Sequence, residues 1–159
     1  MTPPDITRVV ITTDELAAIT SWATRSGWDV TVDLDALRLT ATATHPVTSR
    51  AVVFHGDVEG YPTQAPAWWC GDSPSDKSGY PAPMTTATPK LQGSIFHPNP
   101  CICAPWNRLA YTVHGGPHGD WGSTTDWKQA AATSTQAHTL PDMLATLRLH
   151  LQHSPGMQA

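Results

Sequence analysis

An α+β fold is expected from three features of the chain. Apolar residues recur at helical spacing near both ends, over residues 16–23 and 140–151. Between them, successive runs alternate apolar and polar residues, as half-buried strands do. Short connections make those strands antiparallel neighbours. The expected order is an N-terminal helix, a four-stranded antiparallel meander, a loop bearing thiols, and a C-terminal helix across the sheet. At 159 residues the chain fits one domain spanning 1–159.

The first helix is expected to start at Thr12, where Thr12 and Glu15 have the spacing of a capping box. Leu16, Ile19, Trp22 and Ala23 then share one face, and Gly27 is placed to end the helix. Val30, Val32 and Leu34 alternate with polar residues, and so do Leu37, Leu39, Ala41 and Ala43. The junction at Asp35-Ala36 suggests a hairpin, or one strand with a bulge. Ala51-Val52-Val53-Phe54 reads as a third strand ended by Gly56, and 67–70 as a short fourth. Trp68 and Trp69 would face opposite ways, one of them exposed enough to contact a partner. A long loop rich in Pro, Gly, Ser and Thr is expected around 72–93. The last helix begins at Thr139-Leu140-Pro141, with Pro tolerated in the first turn. Leu140, Met143, Leu144, Leu147 and Leu151 form its apolar stripe, and Ser154-Pro155-Gly156 ends it.

Composition excludes several classes of function. A net charge of −4 and the lack of a basic run argue against a nucleic-acid partner. No apolar run reaches the roughly 18 residues needed to span a bilayer. Residues 1–5 carry no signal core, which points to a cytoplasmic location. Three Cys is an odd count, so reduced thiols fit better than a disulfide framework.

The densest chemistry lies in Ile95-Phe96-His97-Pro98-Asn99-Pro100-Cys101-Ile102-Cys103. A thiol beside a rigid polar turn suits a nucleophile, because the thiolate attacks well and also leaves well. Cys103 is the preferred nucleophile and Cys101 the alternative, the two being expected on opposite faces of the segment. Cys70, after two Trp, reads as a core residue. The amide of Asn99 could donate to a developing oxyanion, worth about 3 kcal/mol in the transition state, or brace the loop. His97 suits a ring that holds backbone groups in the turn. Downstream, His114-Gly115-Gly116-Pro117-His118-Gly119-Asp120 could bring His118 or Asp120 near Cys103, to deprotonate an incoming amine or lower the thiol pKa. Cys101, Cys103, His114 and His118 also approximate a zinc-ligand spacing, although the two Cys sit one residue closer than the usual knuckle. Trp106, Trp121 and Trp127 could floor the region around Cys103.

The order of a helix, an antiparallel meander, Tyr61-Pro62 with Pro66, His97-Pro98-Asn99, Ile102-Cys103 and a Leu-rich helix resembles the ubiquitin-conjugating enzymes. Three residues separate Asn99 from Cys103, fewer than that family usually has. The chain looks like a divergent relative of the kind found beside ubiquitin-like modifiers in bacteria. The resemblance implies a UBC-like fold with an active-site loop. It implies a transferase whose Cys103 accepts a ubiquitin-like protein as a thioester from an adenylating activating enzyme, then passes it to an amine of a protein substrate. No organic cofactor is implied on this chain. The alternatives are the same fold with an idle thiol, used as a binding module, and a small zinc protein.

Overall fold

The structure, a computed structural model, describes residues 1–89, 91–113, 121–130 and 136–159. It is an α+β fold: an N-terminal helix, a four-stranded antiparallel sheet and a C-terminal helix. Helix α1 (Pro3–Val10) runs through a π turn (Ile11–Glu15) into α2 (Leu16–Ser26). Gly27 then closes α2 in the left-handed conformation, at φ 77°.

The helix is capped at Thr2, ten residues before the expected cap at Thr12. The Thr2 hydroxyl accepts the Asp5 N–H, and the Asp5 carboxyl accepts the Thr2 N–H. That is the reciprocal capping box, followed by two Pro that suit a first turn. Thr12 is exposed and caps nothing, while Glu15 is buried. The Glu15 carboxyl accepts the Leu140 N–H at 2.6 Å and the Tyr61 hydroxyl. The π turn places Ile11 and Glu15 both on the inner side of the helix.

Strands β1 (Asp29–Asp33), β2 (Arg38–Thr44), β3 (Ala51–Asp57) and β4 (Ala67–Cys70) pair in chain order, all antiparallel. Period-two alternation puts Leu39, Ala41, Ala43, Val52, Phe54, Trp68 and Cys70 on the buried face. Gly56 does not end β3. It pairs with Trp68, and a Cβ there would stand 3.1 Å from the Trp68 ring, so the indole takes the space a side chain would need. Trp68 and Trp69 face opposite ways as expected, and Trp69 is the outward one, stacked on His55 with Arg38 over its ring at 5.1 Å.

Helix α3 is the short Ala110–Val113, and helix α4 is Leu140–Gln152. Its Leu140, Met143, Leu144, Leu147 and Leu151 join Ile11 and Ile19 from the N-terminal helix and the inner sheet face in one core. A second, two-stranded unit pairs β5 (Phe96–His97) with β6 (Cys101–Ile102). Among the described residues no helix is long and apolar enough to cross a membrane.

Candidate functional site

The β5–β6 hairpin carries the thiols. Phe96 opposes Ile102 and His97 opposes Cys101, so Pro98, Asn99 and Pro100 form the connecting turn. Asn99 is exposed at the tip and His97 is half-buried. Cys103 lies at the open base, where its N–H donates to the Ile95 carbonyl at 2.7 Å.

Cys101 and Cys103 do not face opposite ways. Both join a small cluster with Ala110, Tyr111, Trp121 and Ala130, while Ile102 between them enters the main core. Residues two apart on an extended segment share a face, and only the one between them turns away. Burial pushes the Cys103 thiol up. Cys101 is pushed up to about 12 by burial and by its neighbour Cys103. Cys70 sits in the main core, as expected, and its thiol is held well above the usual range by burial. Cys103 is the most accessible of the three, at 8% exposure against 3% for Cys101 and none for Cys70. Of the three Trp expected near Cys103, Trp121 shares its cluster, against Tyr111 at 5.3 Å. Trp106 and Trp127 belong to the main core, where their large apolar rings bury more surface.

A residue outside the expected set fixes the backbone before the thiol. Asn107 is fully buried and uses all four hydrogen-bonding positions of its amide. Its Nδ2 donates to the Ile102 carbonyl at 2.7 Å and to the Trp68 carbonyl at 3.1 Å. Its Oδ1 accepts from Trp68 N–H at 2.8 Å and Leu109 N–H at 3.2 Å. Trp68 lies on β4, the edge strand, so the Asn107 amide pairs an edge peptide as a further strand would. It thereby couples the sheet edge to the carbonyl that precedes Cys103. Arg108, next in sequence, adds Nη1 bonds to the carbonyls of Glu59 and Ala65 and an ion pair with Asp57 at 3.6 Å.

His150 braces the other side. It stands on the buried face of α4, and its Nδ1 accepts the Ile95 N–H at 3.3 Å. Ile95 in turn accepts from Cys103, so one peptide links the helix to the thiol residue. The sequence held a signal for both braces. Asn107 is a lone amide in the apolar run that starts at Ala104, and His150 interrupts an apolar helix stripe. A polar group in such a place usually has a hydrogen-bond partner.

His114, His118 and Asp120 lie outside the described residues. Among the described residues no three His, Cys, Asp or Glu side chains group as metal ligands. No protein-family model, curated protein or solved structure matches the chain.

Proposed function

We propose that the chain is a carrier of a ubiquitin-like modifier, with Cys103 as the acceptor thiol. The observation that carries this reading is the order in space. A helix and a four-stranded antiparallel sheet lead through Tyr61-Pro62 to a hairpin with His97 at the end of β5 and Pro98-Asn99 in its turn, and Cys103 follows at its base. That order is the one on which the resemblance to the ubiquitin-conjugating enzymes rests. In the proposed step the Cys103 sulfur attacks the carbonyl carbon of a modifier thioester held by an activating enzyme. The enzyme's thiolate leaves and takes the Cys103 proton. A substrate amine then attacks the new thioester, and the Cys103 thiolate departs as the amine nitrogen loses its proton. Asn99 at the hairpin tip would serve the oxyanion or the loop, His97 the turn, and His118 or Asp120 the amine proton. The protein partners are the modifier, the adenylating enzyme and the amine-bearing target.

A second reading, the same fold used as a binding module with an idle thiol, is favoured by the burial of Cys103 and the upward push on its thiol. One experiment separates the two. Ubiquitin and bacterial ubiquitin-like proteins, each activated as a small-thiol C-terminal thioester, are incubated with the protein. The carrier reading expects a thiol-sensitive adduct that survives Cys101→Ala, disappears in Cys103→Ala, and becomes thiol-resistant in Cys103→Ser. Binding without an adduct in the unaltered protein would establish the idle module instead.

A further inference from the structure

We propose that Gln158 is a positioning residue for the thiol hairpin, acting as the outer end of a strap formed by residues 154–158. A pair of strands this short has little stability of its own, so its place depends on ties from outside. Asn107 ties β6 through Ile102, and His150 ties the base of β5 through Ile95. At the turn end of β5, the Gln158 Nε2 donates to the His97 carbonyl at 2.8 Å. The same nitrogen donates to the Pro81 carbonyl at 3.2 Å, so its two protons bridge the hairpin and the long loop.

The strap is held along its length. Gln158 N–H donates to the Tyr80 carbonyl at 3.0 Å, Ala82 N–H donates to the Gly156 carbonyl at 2.7 Å, and Pro81 bridges Met157 between them. At the inner end the Ser154 hydroxyl donates to the Ala82 carbonyl at 2.7 Å and lies 3.0 Å from His45 Nε2. The His45 Nδ1 accepts the N–H groups of Val47 and Thr48, so Nε2 carries the proton and donates it to Ser154. His45 and Ser154 are buried, whereas Gln158 is half-buried. The outer end can therefore detach while the inner end stays fixed, a local opening rather than an unfolding. Detachment removes the Gln158 bond from the His97 carbonyl and loosens the hairpin around Cys103.

The proposal deepens the carrier reading and rests on it for the transfer step alone; the effect on the thiols stands without it. The test is the alkylation rate of each Cys by iodoacetamide, resolved by fragment mass spectrometry, in Gln158→Ala and Gln158→Glu. The second variant keeps the side-chain length but removes the donor. Loss of the two bonds should speed alkylation of Cys103 about five-fold. Cys101 should follow, while Cys70 on β4 keeps its unaltered rate. In the transfer assay turnover should fall with KM for the modifier unchanged. Unchanged Cys103 rates in both variants would overturn the proposal. So would an equal rise at Cys70, which reports general destabilisation. If the unaltered protein takes no modifier, the carrier reading fails while the ratio of Cys103 to Cys70 alkylation still decides the strap.

Discussion

The side-chain amide of Asn107 holds the carbonyl of Ile102 at 2.7 Å, one peptide before the Cys103 thiol. The same amide serves both polar groups of the Trp68 peptide on the sheet edge. Asn107→Ala leaves three buried backbone groups without this partner, and the expected loss of stability is about 3 kcal/mol. Asn107→Asp keeps the acceptor but sets a carboxylate against two carbonyls, so it should not rescue. Urea unfolding midpoints measure both. A loss below about 1 kcal/mol in Asn107→Ala would mean that water replaces the amide and that the brace is weak.

Glu15 joins three elements through one carboxyl. It accepts the Leu140 N–H at the start of α4, 125 positions along the chain, and the hydroxyl of Tyr61 from the loop after β3. Tyr61→Phe removes one donor and should cost about 2 kcal/mol. Glu15→Ala orphans both donors and should cost more. Because the groups share one network, the double variant should lose less than the sum of the singles, by at least about 0.5 kcal/mol. Strict additivity in a double-mutant cycle would show that the two contacts act independently.

These two hubs mark what local pattern could and could not give. The stripe of Leu140, Met143, Leu144, Leu147 and Leu151 and the alternation around Leu39 and Phe54 are periodic, so burial follows from spacing. The helix start was ambiguous because Thr12 to Glu15 and Thr2 to Asp5 have the same capping spacing. What separates them is the burial of Glu15 against Tyr61 and Leu140, a long-range fact that no window contains. The common face of Cys101 and Cys103 was legible from the period of an extended chain, and the expectation of opposite faces misapplied that period. Gln158 gave no local signal, since its partners, Pro81 and His97, are set by how the strap lies across the fold.

Two buried His residues set a pH window for stability. Burial, with His153 nearby, pushes His150 down to about 4, and burial also lowers His45. Each accepts backbone N–H bonds at Nδ1, which requires the neutral ring at that atom. Facing them are Ser154 and the Gly156 carbonyl at His45, and Phe96 and His153 at His150. In the unfolded chain both titrate near 6.5. Between the two values the unfolded state binds more protons, so stability is full above about pH 6.5 and declines as pH falls toward 4. The slope contributed by His150 is at most about 1.4 kcal/mol per pH unit. Unfolding midpoints at pH 7, 6, 5 and 4.5 should fall in order, and His150→Phe should flatten the decline. A midpoint that holds steady from pH 7 to pH 5 would show that neither ring is kept neutral by the fold.

The thiols should rank by burial. Attack needs the thiolate, and the described surroundings of all three push the thiol up, Cys101 to about 12 and Cys70 well beyond the usual range. Burial raises Cys103 as well, but it keeps the most surface of the three. Iodoacetamide at pH 7 should therefore label Cys103 first, Cys101 more slowly and Cys70 only on unfolding. The Cys103 rate should climb about tenfold from pH 7 to 8 and go on rising to pH 9, since the thiolate fraction grows in that proportion well below the pKa. Peptide-resolved mass spectrometry over that range reads each site separately. A plateau at Cys103 below pH 8 would reveal a group that stabilises its thiolate, and would move the balance from the idle module toward an activated carrier. Fastest labelling at Cys101 would transfer the nucleophile to that residue, and the Asn107 brace would then act on the peptide after the reactive thiol rather than before it.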